Sequence, residues 1–76
     1  MPRYFFNIVL GKIVQEDLNG RVLQDDMTAR AYALQSARQA LKEAGRKAPK
    51  LSECFVDVTD GLGTTLFRVP FSEMST

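Results

Sequence analysis

The chain has 76 residues, one cysteine, no histidine, a formal charge of +1 with acids and bases interspersed, and no apolar run of membrane-spanning length. That length makes one domain. One cysteine excludes an intrachain disulfide, and without histidine a four-ligand zinc site cannot form, so we expect a cytoplasmic chain, lacking a leader peptide, metal or cofactor. Leu, Ile, Val and Phe fill 21 of the 76 positions, enough for a core but a small one, so self-association is expected to add buried surface.

Arg3 to Leu10 is aromatic and β-branched and predicts a strand over residues 3–10. Gly11-Lys12 turns it into a second strand over about 12–16. Asp17-Leu18-Asn19-Gly20 is a further turn signal, because Asn-Gly readily takes positive φ, and a short third strand follows over about 21–24. Within the first strand Tyr4, Phe6, Ile8 and Leu10 share one face, and Phe5, Asn7 and Val9 the other.

The period then changes from two to that of a helix, expected over about 26–45. Met27, Ala31, Leu34, Ala37, Leu41 and Ala44 form its apolar stripe, which we expect to pack on the sheet. Asp25 or Asp26 is the N-cap, Gly45 the stop, and Pro49 forbids continuation. Ala33, Ala37, Ala40 and Ala44 make a second row, small enough for close approach to a sheet, while Arg30, Gln35, Arg38, Gln39 and Lys42 are left for solvent. The densest basic stretch, Arg46-Lys47-Ala48-Pro49-Lys50, reads as a solvated loop, so nucleic acid is not the expected partner.

Residues 53–59 and 64–70 flank Asp60-Gly61-Leu62-Gly63 as a β-hairpin. An even register gathers Cys54, Val56, Val58, Phe67, Val69 and Phe71 on one face; an odd one would mix Arg68 with the valines. The even register leaves Phe55, Asp57, Thr59, Leu66 and Arg68 on the opposite face. If the helix covers the first set, the far side of the sheet carries Phe5, Val9, Phe55 and Leu66, too apolar for open water. With Asp57 and Arg68 as its polar border, this is the candidate interface, and a homodimer the expected assembly. An unidentified protein partner is the other occupant considered. The spacing Asp17-x-x-Gly20-x-x-Leu23 recurs as Asp60-x-x-Gly63-x-x-Leu66, which hairpin turn chemistry explains without a duplicated domain.

The opening M-P-R-Y-F-F, the D-x-x-G-x-x-L-x-D segment ending at Asp25, A-R-A-x-A-L, and V-T-D-x-x-G-x-x-L-x-x-V-P-F occur in an order that resembles a family of short bacterial domains of unknown function. The resemblance runs from Met1 to Phe71. It supports the fold and implies no activity. Many members carry a histidine after the paired phenylalanines, where this chain has Asn7, so a role needing imidazole is not expected.

Other candidates have simpler explanations. Pro2 evokes an N-terminal proline base, but its nitrogen is acylated by Met1 and a hairpin follows the strand where those enzymes place a helix. Cys54 alternates with valines and reads as a buried thiol rather than a nucleophile. Glu16-Asp17 and Asp25-Asp26 offer oxygens to a hard cation but fit a turn and a cap. Gly61 and Gly63 lack the helix a phosphate loop needs. Tyr4, Phe5 and Phe6 lack the basic surround of a base-stacking sheet. The chain therefore reads as an α+β domain, an antiparallel sheet of four to five strands ordered β-β-(β)-α-β-β with one helix on one face. It is expected to be a non-enzymatic interaction module; an antitoxin-like or nucleic-acid-associated regulator is the alternative.

Overall fold

A computed structural model describes residues 1–75. Five strands and one long helix follow the expected order: β1 (Arg3–Leu10), β2 (Ile13–Gln15), β3 (Arg21–Val22), α1 (Asp26–Ala44), β4 (Cys54–Thr59) and β5 (Thr65–Pro70). Short 3₁₀ turns occupy Gly45–Lys47, Leu51–Glu53 and Phe71–Ser75. The sheet is antiparallel in the order β2-β1-β4-β5, with β3 also on β1.

Strands β2 and β3 are two halves of one interrupted strand. Ile8 pairs with Gln15 and Tyr4 with Arg21, so three residues of β1 face five residues, 16 to 20, on the other side. The ladder cannot continue through that mismatch, and the amide of Phe6 would lose its partner. The carboxylate of Asp17 replaces the missing ladder acceptor, Phe6 N–H donating to its Oδ2 at 3.0 Å. Its other oxygen accepts from Asn19 N–H at 3.1 Å and Gly20 N–H at 3.0 Å, which shapes the loop. Asn7 completes the seam, its Oδ1 accepting from Asp17 N–H at 2.9 Å. Gly20 is required here twice over: its φ is +70°, and a Cβ would sit 2.9 Å from both the Tyr4 carbonyl and the Phe5 ring.

The hairpin of β4 and β5 has the even register, Val56 facing Val69 and Val58 facing Phe67. Cys54, Val56, Val58, Val69 and Phe71 are buried beside Tyr4, Phe6 and Leu10, and Ile8 and Phe67 pack partly buried against them. At the turn, Asp60 Oδ1 accepts from Leu62 N–H at 2.9 Å and Thr64 N–H at 3.0 Å, so both Asp-x-x-Gly segments are carboxylate-braced turns. Leu66 is the exception to strict alternation. Val58 pairs with Phe67 but Thr59 with Thr65, so Leu66 is the extra residue of a bulge.

Helix α1 differs from expectation in which face it buries. Ala29, Ala33, Ala37 and Ala40 are buried, whereas Met27 is 82% exposed and Ala31 also faces solvent. Leu34 and Leu41 flank the contact half-buried, with Tyr32 on the other side. The helix is thus rotated by roughly a quarter-turn from its most apolar stripe toward the alanine row. The cause is shape. The sheet presents the bulky Tyr4, Phe6, Val56, Val58 and Val69, and only small side chains let the helix backbone come down among them without voids.

The helix ends are fixed as the residue types require. Asp25 is the N-cap, its Oδ1 accepting from Thr28 N–H at 2.9 Å and the Thr28 hydroxyl at 2.8 Å. Those bonds, the backbone one foremost, hold the Asp25 carboxyl below its usual pKa. Asp26 instead accepts from the buried Tyr4 hydroxyl at 2.7 Å, pinning the first helical turn to β1. That bond, with burial and the charges of Asp26 and Asp25, pushes the Tyr4 pKa up to about 12. At the other end Gly45, at φ +58°, donates its N–H to the Leu41 carbonyl.

Candidate functional site

The sheet face away from α1 is organised in cross-strand rows. The first runs Val14, Val9, Phe55, Pro70 across β2, β1, β4 and β5; the second is Asn7, Asp57, Arg68; the third is Phe5, Thr59, Thr65. Of the expected interface residues, Phe5, Val9, Phe55, Asp57 and Arg68 all lie on this face. Val14, which strand parity also places here once β2 is in register, is 61% exposed and extends the apolar row to the sheet edge. Leu66 leaves the set. As the bulge residue it borders a separate cleft of about 340 Å³ with Phe67 and the helix residues Asp26, Met27 and Arg30.

Arg68 and Asp57 pair within the chain, Nε to Oδ1 at 2.8 Å, directly across the β4–β5 ladder. The same guanidinium lies 4.0 Å above the Phe55 ring, so a cation and its partner carboxylate cover part of the apolar row. Phe5 is shielded differently. Its ring lies between the two turns, against Gly20 on one side and Gly61 on the other. The uncovered apolar surface therefore centres on Val14 and Val9, with the Phe55–Arg68 stack beside it.

Next to Phe5 and Asn7 is a shallow pocket of about 200 Å³ rimmed by Glu16, Asp17 and Asp60. Two of these carboxylates are engaged with backbone N–H groups. Burial pushes the Asp17 carboxyl up, but the bonds from Gly20, Phe6 and Asn19 outweigh it and hold the pKa below the usual value. Among the described residues no cluster of carboxylates or thiols is arranged to hold a metal ion.

On the helix side, α1 leaves the β2 edge uncovered. A groove of about 360 Å³ runs there over Ile8, between Gln15 and Arg21 on one wall and Tyr32, Gln39 and Glu43 on the other. Arg21 Nη1 donates to the Tyr32 hydroxyl at 2.8 Å and the guanidinium stacks 4.7 Å above that ring. Cys54 lies in the core, its thiol donating to the Lys50 carbonyl at 3.4 Å. Pro2 sits ahead of β1, its carbonyl accepting from Leu23 N–H.

Sequence reasoning missed two features of the structure. Asp17 and Asn7 read as turn and surface residues, and only the unequal chain lengths between paired positions reveal that they bridge a broken ladder. Nothing in the sequence signals the Arg21–Tyr32 stack.

Fold and face together define a class: small α+β domains in which one alanine-faced helix covers one side of an antiparallel sheet and leaves the other side open. Within that class, residues 3–72 match the model of a domain of unknown function, DUF6894, and the chain belongs to that family. No curated protein and no solved structure matches the chain. None of the helices among the described residues is long and apolar enough to cross a membrane.

Proposed function

We propose that this domain is a non-enzymatic interaction module of the cytoplasm that pairs with a second copy through the sheet face opposite α1. One observation carries the reading: the row Val14–Val9–Phe55–Pro70 crosses all four strands of the open face, with Val14 61% exposed. Sheets this size usually offer water a polar face, and an apolar one marks an interface. A twofold arrangement lets each copy's row meet the other's, while the Arg68–Asp57 pairs border it and set orientation. Sedimentation of the wild type and of Val14→Asp at micromolar to millimolar concentration tests this. A wild-type dimer that the variant converts to a folded monomer is expected; a monomeric wild type overturns the reading.

A nucleic-acid-associated role has one observation in its favour. Around the C-terminal end of α1, Arg38, Lys42, Arg46, Lys47 and Lys50 are exposed, with only Glu43 and Glu53 as carboxylates in the same stretch of chain, and none of the five makes an ion pair among the described residues. Such binding would weaken steeply with salt, each phosphate contact adding to the slope. Salt-independent or absent retention on a mixed-sequence duplex excludes it.

A further inference from the structure

Asn19-Gly20 is the only Asn-Gly pair in the chain. Such pairs lose the side-chain amide readily, because a glycine nitrogen has no neighbouring side chain to hinder its approach to the asparagine Cγ. The Asn19 side chain is exposed, and its carboxamide has no hydrogen-bond partner among the described residues. Nothing therefore holds the leaving group. The peptide that would attack it is held at both ends. Arg3 Nη1 donates to the Asn19 carbonyl at 2.9 Å, and Gly20 N–H donates to Asp17 Oδ1 at 3.0 Å. Behind it, Gly20 is wedged against the Tyr4 carbonyl and the Phe5 ring.

We infer that Asn19-Gly20 is a latent modification site, kept from cyclising by Asp17 and Arg3 and released when the 16–20 loop opens. In the reaction the Gly20 nitrogen loses its proton and forms a bond to Asn19 Cγ. The Cγ–Nδ2 bond breaks, and ammonia leaves carrying that proton. Solvent water then opens the succinimide at either carbonyl, giving aspartate or isoaspartate; no atom is oxidised or reduced. The first step fails in the closed loop for two reasons. The Gly20 nitrogen would become anionic while facing a carboxylate, which is electrostatically unfavourable, and the clamped peptide cannot swing toward Cγ. Once formed, the product is hard to fit back. Both forms add a negative charge beside Asp17, and isoaspartate adds a backbone methylene to a loop already in contact with β1.

The test follows the mass gain and the Asp/isoAsp products by peptide mapping at mildly alkaline pH. Wild-type protein is compared in native buffer and in urea, alongside Asp17→Ala and Arg3→Ala, with circular dichroism checking each fold. Native wild type should convert about tenfold or more slowly than in urea, the protection expected for a loop whose opening costs upward of 1.4 kcal/mol. Folded Asp17→Ala and Arg3→Ala should each convert faster than folded wild type. If Asp17→Ala unfolds, Arg3→Ala, at an exposed position, decides. Equal rates in native buffer and urea overturn the inference. So does protection that persists unchanged in every folded variant.

Discussion

Removing the Asp17 carboxylate should cost more than its position in a surface loop suggests. Asp17→Ala deprives Phe6, Asn19 and Gly20 N–H of their acceptor at once. Water can replace the bond at Asn19, which is exposed. The Phe6 amide, in the seam of the sheet, is left unpaired, and a lost bond to a charged acceptor there costs about 1.5–3 kcal/mol. With the loop bonds added, the total is about 2–4 kcal/mol. A chain of 76 residues is typically stable by about 4–11 kcal/mol, and each kilocalorie moves the Tm of so small a domain by about 4–8 °C. Asp17→Ala should therefore melt at least about 8 °C lower. Asp17→Asn separates the two roles. Its Oδ1 can still brace Asn19 and Gly20, but an NH₂ replaces the oxygen facing Phe6 N–H, so about 1–2 kcal/mol is expected. Urea titration gives the energies, and amide exchange at Phe6 reports the seam directly. A loss below about 0.5 kcal/mol in Asp17→Ala, or unchanged Phe6 exchange in both variants, would show that Asp17 does not bridge the ladder.

Ala37→Leu, which forces a large side chain into the alanine contact, should destabilise by about 1–3 kcal/mol or more, whereas Met27→Ala should change stability by less than about 0.5 kcal/mol; denaturant titration of the two distinguishes the buried face from the solvent-facing one. The raised Tyr4 pKa makes a stabilising contribution that is complete below the unfolded value of about 10 and is lost as pH rises toward about 12, so ultraviolet titration should show one late-ionising tyrosine that Tyr4→Phe removes. For Asp17 and Asp25 the sign is opposite: both carboxyls lie below their unfolded pKa of about 3.9, so their contribution is complete above it and lost on acidification, and Asp17→Ala should flatten the acid limb of stability against pH. Cys54 should resist alkylation in the folded state, and labelling at the rate of a free thiol would contradict its burial.

The sequence revealed most where one physical rule acted alone. Alternation of Val56, Val58 and Val69 with Asp57 and Arg68 has one clean register, and the hairpin adopts it. Asp25, Gly45 and Pro49 bracket the helix because caps depend on local chemistry. It misled where two rules competed. Met27 and Leu34 dominate a count of apolar side chains, but the helix docks by fit, and the rings of Tyr4 and Phe6 take up the space that larger helix residues would need. Leu66 was misplaced because parity fails at a bulge, and a bulge depends on how two strands meet. The two short strands and the turn between them were legible, but their sharing of one edge of β1 was hidden for the same reason: the five residues opposite Phe5–Asn7 become an interruption only when both flanks are paired to β1.

That interruption, with its counterpart on the opposite edge, also decides how the molecule does not associate. A free strand edge is a template on which another chain can add, and repeated addition leads to fibres. On one side of this sheet the outermost strand is broken after Gln15 and resumes only at Arg21, too short in either half to seed a neighbour. On the other, β5 carries the bulge at Leu66 and ends in Pro70, which has no N–H to donate. Both ends of the sheet are thus poor templates for lateral growth, which lowers the risk of open-ended polymerisation that an open apolar face would otherwise bring.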